Sequence, residues 1–225
     1  MVTTYIFCHD QKFILDSIEN NRYDCLGQHY FVFLGFNDVD KIEGLENVII
    51  SKNLFDNIEN NKHCLQYCGW YSIFKNTSLN SDYIRLIDYD VDILVPNNQT
   101  SYDIKSSMGF NFNFYFNIGF PDHHKFNNYI KNKLGFDVEF LIEKHYNKFM
   151  QDKWFSIGDV LIKTETFRNF MEWFYPVYLD NYNSNYFAHH FERYLTVYCL
   201  LNDIQYEVKE NETIHRQLKS HNYYN

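Results

Sequence analysis

The 225-residue sequence contains few of the residues that mark several common protein classes. It has a single alanine (Ala188), three prolines and eight glycines, and it contains no low-complexity linker and no internal repeat. No run approaches 18 apolar residues, so the sequence predicts no transmembrane segment. The first residues lack the basic stretch and small-residue cleavage site of a signal peptide. We therefore expect a soluble protein with a cytoplasmic location.

The number and spacing of the cysteines fit neither a disulfide scaffold nor a structural zinc site. The five cysteines are odd in number, and no two have C-x-x-C spacing. A disulfide scaffold or a structural zinc site is therefore not expected, and reduced thiols in a cytosol-like compartment fit better. The cysteines are Cys8, Cys25, Cys64, Cys68 and Cys199.

Positive charge is in deficit. The net charge is −9 and the pI is about 5.5. Because nucleic-acid binding requires a basic face that neutralises phosphates, we expect no nucleic-acid partner. A small anionic ligand held through a metal ion remains compatible with this balance.

Aromatic residues and asparagine are abundant instead, with 22 Phe, 20 Tyr and 27 Asn. We attribute this skew first to AT-rich codons in the gene and only second to the function of the protein. A chain of this length predicts one domain, or one domain with a long insertion, and it can bury roughly 70–75% of its unfolded surface. We predict a single domain over residues 1–225.

The first hundred residues alternate strand and helix patterns. This alternation predicts an α/β fold with a central, mostly parallel sheet covered by helices, and the less regular second half predicts a mixed α/β unit that completes a pocket. Ligands of such sheets bind beyond the carboxyl ends of the strands. The predicted elements of the first half are a strand at Thr3–Cys8, a helix at Gln11–Ile18, strands at His29–Phe36 and Val48–Ser51, a helix at Cys64–Lys75 and a strand at Tyr83–Asp88.

An acidic cluster follows the last of these strands. Asp88, Asp90 and Asp92 place three carboxylates within five residues, and such crowding is unfavourable unless a cation or solvent compensates it. An EF-hand is rejected, because Ile93 and Gln99 stand where Gly and Glu are required. Two interpretations remain: a solvated acidic turn, or an Asp-x-Asp site that binds Mn²⁺ or Mg²⁺ and, through the ion, a diphosphate.

The segment Ile84–Val91 resembles the strand and Asp-x-Asp motif of GT-A-fold glycosyltransferases. Strand length favours Asp88 and Asp90 as the motif pair, with Asp90 and Asp92 as the alternative. Four further segments resemble the nucleotide-binding strand, the helix before the motif, the acceptor-side strand and the late Glu-Arg pair of these families, in the expected order. They are Thr3–Asp10, Gly69–Asn76, Trp154–Leu161 and Phe191–Leu195.

This resemblance implies transfer of a sugar from a nucleotide-diphosphate sugar, commonly a UDP-sugar, to an acceptor hydroxyl on a glycan or another molecule. It also implies that residues 1–225 form a single GT-A-like catalytic domain, with a nucleotide-sugar-binding half at about 1–100 and an acceptor-side half at about 101–225. It implies Mn²⁺ or Mg²⁺ as cofactor, because a cation offsets the charge that develops on the diphosphate. Asp88, Asp90 and His189 are the expected metal ligands. The residues expected at the donor are Tyr5, Phe7, Trp70, Asp88, Tyr89 and Asp90.

An inverting enzyme of this kind also needs a general base that reaches the acceptor hydroxyl. Asp159 and Glu192 are the candidates, and Asp159 is notable because it interrupts an apolar strand. A cap or salt bridge is the structural alternative for both. Other histidines are weaker candidates for a site role, namely His123, His124, His190, His215 and His221.

Two other classes of function use the same residues. A different metal-dependent phosphotransfer or hydrolytic enzyme needs two ions about 4 Å apart. A non-catalytic nucleotide-sugar-binding module lacks the catalytic groups but keeps the fold. The sequence does not specify the donor sugar or the acceptor.

Overall fold

The structure is a computed structural model, and it places a seven-stranded sheet at the centre of the chain. The strand order is β10-β6-β9-β4-β1-β2-β3. The residues that the structure describes are 1–35, 37–61, 64, 66–111, 127–137, 140–141, 144, 153–184 and 187–216. Two short two-stranded sheets, β5 with β11 and β7 with β8, flank the large one.

The strands have the following bounds. They are β1 Val2–Cys8, β2 His29–Phe33, β3 Val48–Ile50, β4 Tyr83–Asp88, β5 Val91–Ile93, β6 Ile104–Ser106, β7 Gly109–Asn111, β8 Lys153–Phe155, β9 Asp159–Lys163, β10 Tyr206–Val208 and β11 Thr213–His215. Within the large sheet, β9 alone runs antiparallel to its neighbours β4 and β6, and the other adjacent pairs are parallel. The predicted mixed α/β fold with a mostly parallel sheet is thereby confirmed.

Four α-helices are described. They are α1 Gln11–Glu19, α2 Gln66–Asn76, α3 Thr164–Asn181 and α4 Phe187–Leu201, and a π-helical segment covers Ile130–Leu134. Asp10 caps α1, because its side chain accepts a hydrogen bond from the backbone N–H of Lys12. Within the described residues, no helix has the length and apolar character needed to cross a membrane.

Side chains of β1 alternate between the two faces of the sheet, as the two-residue period of a strand requires. Tyr5 and Phe7 join the core formed with α2, α3 and α4, whereas Ile6 and Cys8 join the core formed with α1. At the carboxyl end of β1, Phe7 and Cys8 thus face the two different cores. This end lies beside the end of β4, since Phe7 is the register partner of Asp88.

The predicted strand at Tyr83–Asp88 and the predicted elements of the first half match observed elements, with boundary differences of a few residues. In the second half, the pattern of Phe155–Ile162 predicts one strand with a polar interruption, and the structure differs. The stretch divides at Ser156–Gly158, so that β8 pairs with β7 and β9 pairs with β4 and β6. The sequence also predicts an aromatic strand-like segment at Gly109–Gly119 and helical spacing over His123–Met150, and residues 112–126, 138–139, 142–143 and 145–152 lie outside the described residues.

Candidate functional site

The Asp-x-Asp segment lies where β4 leaves the sheet. The backbone N–H of Asp88 donates to Gly158 O (2.8 Å), and that of Tyr89 donates to Phe7 O (2.9 Å). These two bonds extend the ladder from both neighbouring strands past the end of β4. They fix the position of the acidic residues at the carboxyl edge of the sheet, where parallel sheets bind ligands.

Asp88 is half-buried and held by a side chain from the first turn of α2. Gln66 Nε2 donates to Asp88 Oδ1 (2.7 Å) and also to Ile157 O (2.9 Å). Desolvation, followed by the negative charges of Asp90 and Glu192, holds the pKa of Asp88 well above its usual range, and the Gln66 hydrogen bond acts in the opposite direction. The site therefore has more negative charge than its own donors compensate.

Asp90 is approached by the C-terminal part of the described chain. Strand β11 pairs antiparallel with β5, which places His215 opposite Val91. His215 Nε2 then lies 3.4 Å from Asp90 Oδ2. The next residue closes the contact, because the backbone N–H of Arg216 donates to Asp90 O (2.9 Å) and its guanidinium bonds to Tyr89 O.

Asp92 has a different environment from Asp88 and Asp90. Its carboxylate forms an ion pair with Arg22 from the segment after α1, and Arg216 Nε lies 3.6 Å from the same oxygen, Oδ1. Both guanidiniums also stack on Phe13, at 5.0 and 5.5 Å from the ring centroid. The third carboxylate of the cluster is thus already neutralised by two arginines.

The two candidate bases differ sharply in their surroundings. Asp159 is 1% exposed, and its two oxygens accept hydrogen bonds from Arg85 Nε (2.8 Å) and Nη2 (2.7 Å). Ser107 Oγ adds a third at 2.6 Å. This is a buried bidentate ion pair. The polar residue in the apolar strand is explained by Arg85 on the neighbouring strand β4, two residues before Ile87, the register partner of Asp159.

Glu192 lies on α4, within electrostatic range of Asp88. Its Oε1 accepts the backbone N–H of Ile157 (3.2 Å), the residue whose carbonyl accepts from Gln66. His189 precedes Glu192 by one helical turn. Partial desolvation lowers the pKa of His189, and the attraction of Glu192 opposes this shift.

The aromatic residues expected at the donor occupy two kinds of position, the edge of the site and the core. Tyr89 is half-buried at the edge of the site, with its ring 4.8 Å from that of His9 and 5.3 Å from that of Phe13. Phe7 and Trp70 are 1% and 0% exposed and belong to the core. Tyr5 is also buried and stacks on Tyr30 at 5.9 Å, two residues along β1 from Phe7.

The structure thus brings together Asp88, Asp90 and Glu192 from the predicted site. It adds Gln66 and Arg216, which the sequence does not mark as site residues, and His215, which the sequence analysis gives only as one of the weaker histidine candidates. No local pattern marks any of the three, because Gln66 is 22 residues from Asp88 and Arg216 is 126 residues from Asp90.

The donor atoms at this edge suit a hard or borderline divalent cation. Carboxylate oxygens from Asp88 and Asp90 and an imidazole nitrogen from His215 are ligands that Mn²⁺ accepts, and the uncompensated charge at Asp88 favours a cation. In the described part of the chain, no three His, Cys, Asp or Glu side chains already form a preassembled metal cluster. His123, His124 and His221 lie outside the described residues.

Comparison with known proteins identifies the architecture. No family model matches the chain, and no curated protein matches it in sequence. The apo structure of WbbM, a bifunctional glycosyltransferase, superposes with a TM-score of 0.53 at 13% identity, covering 94% of this chain and 44% of WbbM. The chain therefore spans less than half the length of that protein.

A second structure is the galactosyltransferase LgtC in complex with donor and acceptor sugar analogs. It has a TM-score of 0.44 at 15% identity, with 92% of this chain and 73% of LgtC covered. At 13% identity, the structural likeness to WbbM shows the fold alone. The chain has a GT-A-like glycosyltransferase fold.

Proposed function

We propose that this protein is a metal-dependent glycosyltransferase. It moves a sugar from a nucleotide-diphosphate sugar, with a UDP-sugar as the first donor to test, to an acceptor hydroxyl on a glycan or similar molecule. The observation that carries the proposal is the approach of His215 to Asp90 at the end of β4. In a GT-A-like fold, this edge of the sheet is where a nucleotide ligand binds.

Three side chains would hold the Mn²⁺ or Mg²⁺ ion: Asp88, Asp90 and His215. Asp92 is a weaker choice, because its carboxylate is paired with Arg22 and Arg216. When bound, the ion supplies Lewis-acid stabilisation of the diphosphate leaving group. His189, the ligand expected from the sequence, is retained as an alternative on α4.

The chain's own groups have distinct roles in this proposal. Gln66 orients Asp88, and Arg216 fixes the Tyr89 and Asp90 carbonyls and adds a positive charge beside the expected phosphates. Glu192 is the proposed proton acceptor, since it adjoins Asp88. Asp159 is less suited to that role, because both of its oxygens are bonded to Arg85 and it is buried.

For the donor base and ribose, the proposed contact is Tyr89, with His9 beside it. Phe7, Trp70 and Tyr5 support this edge from the core rather than from an open surface. A cytoplasmic location is retained in the proposal. The five cysteines, all free thiols, are compatible with a reducing compartment.

A thermal-shift screen of nucleotide-sugars with and without Mn²⁺ tests the proposal. A donor present at a hundredfold excess over its Kd stabilises the fold by about 2.7 kcal/mol. For a chain of this size that corresponds to a rise in Tm of roughly 5–10 °C. We expect the rise with a UDP-sugar and Mn²⁺ together, and a much smaller one with either alone.

Asp90→Asn should abolish the combined shift. The matched control is Asp40→Asn, which alters a second Asp-x-Asp in the chain, Asp38-Val39-Asp40, at an exposed position. This control should respond as the wild type does. A wild type that responds to no nucleotide-sugar, or an Asp90→Asn variant that responds fully, contradicts the proposal.

A further inference from the structure

The segment that delivers His215 is joined to the central sheet before it reaches the site. Strand β10 pairs with β6, with Glu207 as the register partner of Lys105. The chain then turns through Asn211, whose φ of 73° lies in the left-handed region, and enters β11. Strand β11 pairs only with β5 among the described strands, so its hydrogen-bond ladder is separate from that of the large sheet.

One ion pair connects β11's entrance to the large sheet. Lys105 Nζ on β6 lies 2.6 Å from Glu212 Oε2, and the two side chains are 2% and 12% exposed. Asn97 joins the same contact, because its O accepts from Lys105 Nζ (3.2 Å) and its Nδ2 donates to Glu212 Oε1 (3.2 Å). Both carboxylate oxygens of Glu212 are thereby directed into the protein.

Backbone hydrogen bonds connect Glu212 to the segment that forms the site. Glu212 O accepts the N–H groups of Leu94 (2.8 Å) and Val95 (3.1 Å), which immediately follow β5. Three residues further, His215 lies 3.4 Å from Asp90. A three-residue strand is nearly inextensible, so the position of Glu212 determines how far His215 reaches.

Burial of a lysine costs free energy of desolvation and requires a counter-charge, whereas an apolar side chain of similar volume requires neither. The Lys105 ammonium pairs with one carboxylate, that of Glu212, at one place, which favours a single register of β11 against β5. We propose that Lys105 is a positioning residue, which through Glu212 holds His215 at the cation site. This inference rests on the proposed function, in which His215 is a ligand of the metal ion.

Two readouts on Lys105→Met test it. The first is hydrogen exchange of the peptide that contains β11, measured without metal, which we expect to be at least about tenfold faster than in the wild type. The second is the half-saturation concentration of Mn²⁺, followed by the EPR signal of free Mn²⁺, which we expect to be about 10–100-fold higher. Glu212→Gln, which keeps the side-chain shape, should move both readouts in the same direction.

The matched control is Lys163→Met. Lys163 ends β9, the neighbour of β6, and forms a half-exposed pair with Asp103 at 3.6 Å. This variant makes the same Lys-to-Met change on the same sheet, and it should leave both β11 exchange and Mn²⁺ half-saturation as in the wild type.

The outcomes separate the two proposals. Unchanged β11 exchange in both Lys105→Met and Glu212→Gln overturns the anchoring role. Faster exchange with unchanged Mn²⁺ half-saturation shows a purely structural pair and overturns the positioning role. A wild type that binds no Mn²⁺ removes the proposed function and the positioning role together, whereas a wild type that binds Mn²⁺ beside an unaffected Lys105→Met removes the positioning role alone.

Discussion

At the scale of single residues, the acidic site depends on one neutral amide. Gln66 gives its Nε2 hydrogens to Asp88 Oδ1 and to Ile157 O, and Ile157 N in turn donates to Glu192. The amide therefore links α2 to the end of β4 and to the turn before β9. A carboxylate in this position would add charge to a region where Asp90 and Glu192 already raise the pKa of Asp88.

Gln66→Met tests this link. Methionine keeps the length of the side chain but leaves two acceptors without their donor. Loss of a hydrogen bond to a charged group typically lowers the free energy of unfolding by about 1.5–3 kcal/mol, and we expect a loss in that range by urea denaturation at pH 7 without metal.

Gln99→Met is the control for that measurement, because Gln99 is exposed on the loop after β5 and such surface changes stay within about 0.5 kcal/mol. Equal stabilities of the two variants would show that Gln66 does not hold Asp88 in solution.

The residues also show how far sequence reasoning reaches at this scale. The Asp88-x-Asp90 position follows from local pattern, since an apolar strand ending in a carboxylate needs only nearby residues to be recognised. His215 and Gln66 do not follow, because they reach the site through strand pairing and helix packing. The sequence predicts Trp70 at the donor, whereas the structure places it in the core. The sequence does not separate the two roles, because a core tryptophan and a tryptophan that stacks on a ligand are the same residue type.

At the scale of elements, the packing of α2 on β1 depends on a glycine. A Cβ on Gly69 would lie 2.4 Å from Phe7 Cδ1 and 2.6 Å from Cε1, far inside van der Waals contact. Phe7 is fully buried, so its ring has little room to move. Glycine thus allows α2 to approach the strand whose end supports Tyr89 through the Phe7 carbonyl.

Gly69→Ala should be destabilising despite the better helix propensity of alanine. Propensity favours the variant by about 1 kcal/mol, but overpacking a core costs about 1–3 kcal/mol, and the 2.4 Å contact places this site at the high end. We expect Tm to fall by several degrees in a thermal melt. In a Phe7→Leu background the same substitution should cost less, and a rise in Tm of the single variant would refute the close approach.

The division of the β8–β9 region marks the limit of element prediction. The stretch Phe155–Ile162 is apolar except at Ser156, Gly158 and Asp159. Periodicity does not say which strands will pair, and pairing decides the outcome: Phe155 faces Gly109 in a small sheet, whereas Val160 faces Leu86 in the large one. The antiparallel direction of β9 is set in the same way, by neighbours distant in sequence.

At the scale of the whole molecule, the sheet separates two cores, and buried thiols report on both. Cys8 belongs to the core on the α1 side, and Cys64, Cys68 and Cys199 belong to the other. All four are buried, and desolvation raises the pKa of Cys8 to about 12. Cys25 is exposed. Because the thiolate is the reactive form, burial slows a thiol both by access and by protonation.

The native protein should therefore react with Ellman's reagent at one thiol per chain within the fast phase, and the denatured protein at five. Cys25→Ser should remove the fast phase.

The four slow thiols require opening of one core or the other, and a chain that unfolds as a single unit exposes them together. Their slow-phase rate should then follow the same urea dependence as the loss of far-UV circular dichroism. If instead Cys8 became reactive at lower urea than Cys199, the two faces of the sheet would open separately, and the α1 side, which carries His9, Phe13 and Arg22 beside the acidic site, would be the less stable half.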